Sequence, residues 1–137
     1  MPNIDSVKTF PPLTTTNFES SPIDATMTII QASATPNVKG NWTQLLASTA
    51  KKVSGIVVAI VGGTVANILI DIGTGAAASE TVLIPNIWAC PNTGVGIWAK
   101  TIFFPLELAS GTRIAARCQS SPASANPRIG VMLMEID

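Results

Sequence analysis

From Val53 to Ile70 the chain runs VSGIVVAIVGGTVANILI, eighteen residues without a charge between Lys52 and Asp71. A run of that length could cross a bilayer as a helix. Its interior argues for strands instead: Gly62-Gly63-Thr64 interrupt it, Asn67 follows, and valine and isoleucine dominate, a combination that suits two strands and a turn. The second arm places Ile68, Ile70 and Ile72 on one face and Asn67 and Asp71 on the other, which is strand periodicity. The first arm, Val53 to Val61, is apolar on both parities, as in a strand covered on both faces. We therefore expect a β-hairpin turning near Gly62-Gly63 and no membrane span.

Other apolar runs recur at short intervals: Met27–Ala32, Trp42–Ala47, Thr81–Ile84 closed by Pro85, Ile97–Leu108 interrupted by Pro105, Thr112–Gln119 and Arg128–Ile136. Turn-forming groups separate them, among them Gly73-Thr74-Gly75, Pro91-Asn92-Thr93-Gly94, Ser110-Gly111 and Ser121-Pro122. With the two arms of the long run, this makes eight candidate strands and predicts an all-β fold, an antiparallel β-sandwich of jelly-roll type. The only helical competitor is a turn or two over Leu45–Lys52. A length of 137 residues suits one domain.

The N-terminal stretch differs in composition. Residues 1–26 hold four prolines with many threonines and serines, and their apolar side chains are isolated, so this segment cannot build a core of its own. The organisation read from the sequence is an extended arm over residues 1–40 and a sandwich over 41–137. Phe10, Leu13 and Phe18 are the arm's candidate contacts with a neighbouring subunit.

Charge and composition exclude several function classes. Eight basic and eight acidic residues cancel, and charged residues are only 12% of the chain, about half the usual share. No basic field is available to draw in a phosphate backbone, which argues against nucleic acid as a partner. Histidine and tyrosine are absent, removing the commonest general base and the commonest zinc nitrogen ligand. Cys90 and Cys118 allow one disulfide but no metal cluster, and the free form is favoured because Cys118 shares the parity of Ile114 and Ala116, as a buried thiol would. The expectation is no enzyme, no metal and no cofactor. Met1-Pro2-Asn3-Ile4-Asp5 lacks the basic and apolar regions of a secretory signal, which implies synthesis in the cytoplasm.

The chemical motifs are weak. Gly73-Thr74-Gly75 follows a strand, as in a phosphate loop, but leads into another strand rather than a helix. Asp71 and Glu80 are the carboxylate pair to consider for acid/base work, and no spacing rule supports them. Asn41-Trp42-Thr43 matches a glycosylation sequon without a secretory context. Trp42, Trp88 and Trp98 suit core or subunit contacts, or a platform for sugar rings. Arg113 and Arg117 share one strand face roughly 13 Å apart, placed for carboxylates across a subunit interface or for solvent.

Three stretches carry a resemblance: Gly40–Ala50 leading into Val53–Val58, Ile70–Glu80, and Phe104–Arg117 with its proline-containing strand, Ser-Gly turn and Thr-Arg-Ile-Ala-Ala-Arg strand. Over about residues 40–120 the chain resembles small β-sandwich structural proteins of tailed-bacteriophage virions. The resemblance implies a capsid decoration (cement) protein located in the virion, assembling with itself as a trimer and contacting the major capsid protein or other virion proteins. The alternative is a tail-tip or fibre module that binds a host glycan. The candidate interface residues are Phe10, Leu13, Phe18, Trp88, Trp98, Arg113 and Arg117.

Overall fold

A computed structural model describes residues 27–62, 67–89, 98–121 and 123–136, together with the pairing of residues 13–15. These residues form nine strands and no helix. The strands are β1 (Leu13–Thr15), β2 (Thr28–Ile29), β3 (Thr43–Leu46), β4 (Lys52–Gly62), β5 (Asn67–Thr74), β6 (Thr81–Ala89), β7 (Trp98–Phe104), β8 (Ile114–Ser121) and β9 (Arg128–Ile136). Sheet A has the order β1-β9-β4-β7, with β2 pairing on β9 as well, and sheet B has the order β3-β8-β5-β6. All pairings are antiparallel.

Strand alternation explains why the two sheets share one core. Ile56, Val58 and Ile60 of β4 and Ile129, Val131 and Leu133 of β9 join Ile68, Ile70 and Ile72 of β5 and Ile114, Ala116 and Cys118 of β8 in a single buried cluster. The architecture is therefore sandwich-like, with β-branched residues filling the interior. The intervening residues of β4 face the other way. Ala59 and Val61 form a small second cluster with Met27 on the outer face of sheet A, which accounts for the apolar character of both parities of this strand.

Each of the eight apolar runs contains a strand, but the long run is not a hairpin. Its arms, β4 and β5, lie in different sheets: β4 pairs with β7 and β9, and β5 pairs with β6 and β8. Both are interior strands with neighbours on each side, so the chain crosses from one sheet to the other between them. Among the described residues no helix is long and apolar enough to cross a membrane. The second difference is at Pro85, where β6 continues rather than ends. Because β6 is an edge strand, the missing donor is tolerated there. A bulge lies between Ile84 and Ile87, and Asn86 within it has a φ of 51°.

Residues 27–40, read from the sequence as part of an arm, pack with the domain. Met27, Ile30 and Ala32 are buried, and the amides of Ile30, Ala32 and Gly40 donate to the carbonyls of Pro127, Ala125 and Cys118. Ile30 has the burial and the apolar chemistry of a core residue, which its position after a Pro/Thr-rich stretch concealed. Leu13 pairs with Met134 of its own chain in β1. Phe10 and Phe18 lie outside the described residues.

A buried hydroxyl secures the turn ahead of β8. Thr49 is 2% exposed; its Oγ1 donates to the Ala109 carbonyl at 2.9 Å and accepts from the Thr112 amide at 3.1 Å. Its backbone pairs with Thr112 and Gly111. Thr49 thereby fixes the Ser-Gly turn from which Arg113 and Arg117 are presented.

Candidate functional site

The outer face of sheet B carries the most organised polar chemistry among the described residues. Since Ile68, Ile70 and Ile72 point into the core, Leu69, Asp71 and Gly73 point outward on β5; on β8, Ala115, Arg117 and Gln119 do the same. The register sets Asp71 directly opposite Arg117. Arg117 Nε donates to Asp71 Oδ2 at 3.0 Å, and Lys39 Nζ reaches Oδ1 at 2.8 Å. The amide of Asn86 adds a third donor to Oδ1 at 2.9 Å, made possible by the bulge that Pro85 and Asn86 introduce in β6.

Lys39 closes this network from the segment ahead of β3. Besides Asp71, its ammonium donates to the Leu69 carbonyl at 3.3 Å and to Asn86 Oδ1 at 3.0 Å. The Asp71 side chain is only 4% exposed. Burial alone would raise its pKa, but the bonds from Lys39, Asn86 and Arg117 outweigh that effect and hold the carboxyl below its ordinary value. Asp71 is therefore an ionised structural acceptor with its donors in place, a poor general base.

Trp42 completes the arrangement by packing across Gly73. A Cβ at Gly73 would lie 2.6 Å from Trp42 Cη2, so only glycine admits the indole this close to the sheet. The Arg117 guanidinium sits over the same ring, its Cζ 4.6 Å from the centroid, within cation–π range. Asp71 and Trp42 thus fix one arginine from two directions.

Arg113 occupies a separate network. Its Nη1 donates to Glu80 Oε1 at 2.7 Å and to the Gly75 carbonyl at 3.2 Å, and its Nε donates to Gln44 Oε1 at 2.9 Å. Desolvation opposes ionisation of Glu80, yet the bond from Arg113 holds its carboxyl below the ordinary value. Asp71 and Glu80, the carboxylates considered from the sequence for joint acid/base work, each serve a different arginine. Both arginines have carboxylate partners within their own chain.

The remaining candidate residues are dispersed. Trp88, on the edge strand β6, is 58% exposed, and its carbonyl accepts a 2.7 Å bond from Lys100 Nζ of β7. Trp98 opens β7, with its side chain outside the described residues. Cys118 is free and buried, and burial pushes its thiol up to about 11, so it is protonated at neutral pH. A polar cleft of about 350 Å³ lies beside Lys39, lined also by Gln31, Ser33, Asn41 and Thr43. The described residues contain no group of three metal-ligating side chains close enough to hold an ion.

Sequence reasoning reached Arg117 and Asp71 separately but not their pairing, because register between β5 and β8 is nonlocal. Lys39 and Asn86 carried no periodic signal, being in an irregular segment and a bulge. Gly73 invited a phosphate-loop reading, whereas its small size serves Trp42. The chain matches no protein-family model and no curated protein sequence.

Proposed function

We propose that this chain is a structural protein of a tailed-bacteriophage virion, a capsid decoration protein that assembles with itself and braces the shell through the major capsid protein. Strand order carries the reading. From β2 onward, β2-β9-β4-β7 faces β3-β8-β5-β6, an order consistent with a jelly roll, an architecture common in viral capsid proteins. The resemblance over residues 40–120 supports the same assignment.

The surface supports assembly. The outer face of sheet A presents half-buried Val57, Met132 and Met134 and exposed Phe103, and charged residues are scarce throughout. Subunits that cover such a face against one another remove it from water. On this proposal the role is structural rather than catalytic, and the protein is made in the host cytoplasm before incorporation into the virion.

Light scattering coupled to size exclusion tests the assembly. A trimer has a mass near three times 14.2 kDa, and Phe103→Asp, which places a charge on the apolar face, shifts it toward the monomer. A wild-type protein that remains monomeric at high micromolar concentration contradicts the reading.

A further inference from the structure

The two outer faces differ in chemistry: that of sheet A is apolar, whereas that of sheet B adds charged and amide groups to exposed Trp88 and Val82. Sheet B presents aromatic, cationic and amide groups side by side. Trp88 is the most exposed large apolar side chain among the described residues, at 58%. It stands opposite Leu69, which in turn stands opposite Gln119. Arg117 lies one row further along β8, opposite Asp71. From strand spacing and rise, the Trp88 and Arg117 backbones are roughly 12 Å apart on one face.

Arg117 is prepared for a further ligand. Its Nε is held by Asp71 and its plane by Trp42, while its two terminal nitrogens make no hydrogen bond to the described residues. The side chain remains 29% exposed. A guanidinium immobilised in this way offers a planar pair of donors that matches a carboxylate and loses little further freedom on binding. Lys39 and Arg117 against Asp71 leave one net positive charge at the site. Arg113 is not equivalent, since Glu80, Gln44 and Gly75 already occupy it.

We propose that this face binds an acidic carbohydrate, a short oligosaccharide bearing a uronic or sialic acid. A sugar ring stacks on Trp88, the carboxylate engages the open edge of Arg117, and Gln119, next to Arg117 along β8, serves a ring hydroxyl. The charge of the site favours the acidic sugar over a neutral one, and the tryptophan favours a ring over a simple anion. The inference stands apart from the virion assignment, because it depends on sheet B alone.

The test is titration of the full-length protein with a hyaluronan tetrasaccharide, trigalacturonate, sialyllactose and neutral lactose, read by ligand-observed NMR and tryptophan fluorescence. At least one acidic sugar is expected to bind saturably and at least roughly tenfold more tightly than lactose. Trp88→Ala, at an exposed position, should abolish saturation transfer to the ring protons without changing the thermal midpoint. Arg117→Lys should weaken the acidic sugar and leave lactose unaffected. Absence of binding by every acidic sugar at about 10 mM, or equal binding of acidic and neutral sugars, overturns the proposal. So does a Trp88→Ala variant that binds sugar normally but loses oligomeric mass, which would assign the face to a second copy of the chain.

Discussion

Trp42 occupies the space that Gly73 leaves on the outer face of β5, with 2.6 Å from the indole Cη2 to where a glycine Cβ would stand. A methyl group at Gly73 must displace the ring and with it the surface on which Arg117 rests. Gly73→Ala should therefore cost about 1–3 kcal/mol, the range for overpacking, measured by urea denaturation. It should also lower the fluorescence change attributable to Trp42 burial. A variant as stable as the parent would show that Trp42 is not held against the strand.

Asp71 accepts three hydrogen bonds from two cations and a backbone amide. Neutralising a buried carboxylate leaves its partners uncompensated, so Asp71→Asn should destabilise the fold by about 3 kcal/mol. An unchanged denaturation midpoint would mean that solvent replaces the network at no cost.

The pH dependence follows from the same group. Asp71 has a folded pKa below its ordinary value of 3.8, and Glu80 lies below its ordinary 4.5. Groups depressed on folding stabilise fully above the unfolded pKa and lose that contribution as pH falls through the folded one. Stability should be level near neutrality, then decline from about pH 5 downward. Asp71→Asn should flatten this acid limb, as urea midpoints measured from pH 7 to pH 3 will show; an identical limb in the variant would exclude Asp71 as its source.

How much of this was legible in the sequence depended on whether the signal was local. The eight strands were legible because Ile68, Ile70 and Ile72, like Ile114, Ala116 and Cys118, alternate with outward residues. The partners of β4 and β5 were not, since Gly62-Gly63 marks a reversal without stating whether the chain pairs with itself or crosses to another sheet. Pro85 looked like a terminator because a sequence does not reveal which strands are edges. Lys39, Trp42 and Asn86 converge on Asp71 and Gly73 only after β3, β5, β6 and β8 have been brought side by side.

Thr49 should matter more than its position in a loop suggests. Thr49→Val keeps the shape but leaves the Thr112 amide without its hydroxyl acceptor, while the Ala109 carbonyl keeps its bond from the Thr112 hydroxyl. A loss of about 1–3 kcal/mol is expected, with faster amide exchange at Thr112. Normal protection at Thr112 would show that the backbone pairing alone secures the turn.

Cys118 should resist alkylation in the folded protein. Its thiol is buried and pushed up to about 11, and the thiolate is the reactive form. Iodoacetamide at pH 8 followed by peptide mass spectrometry should find the Cys118 peptide unmodified, and fully modified in urea. Rapid native labelling would place the sulfur at the surface.

The proposed structural role on the shell is tested most directly by the copy number of this chain in purified virions, measured by quantitative gel densitometry against the major capsid protein. A decoration protein is expected at a fixed ratio commensurate with the shell lattice, retained after tails are removed. A copy number that follows tail symmetry and disappears with the tails, or absence of the chain from the particle, would contradict it.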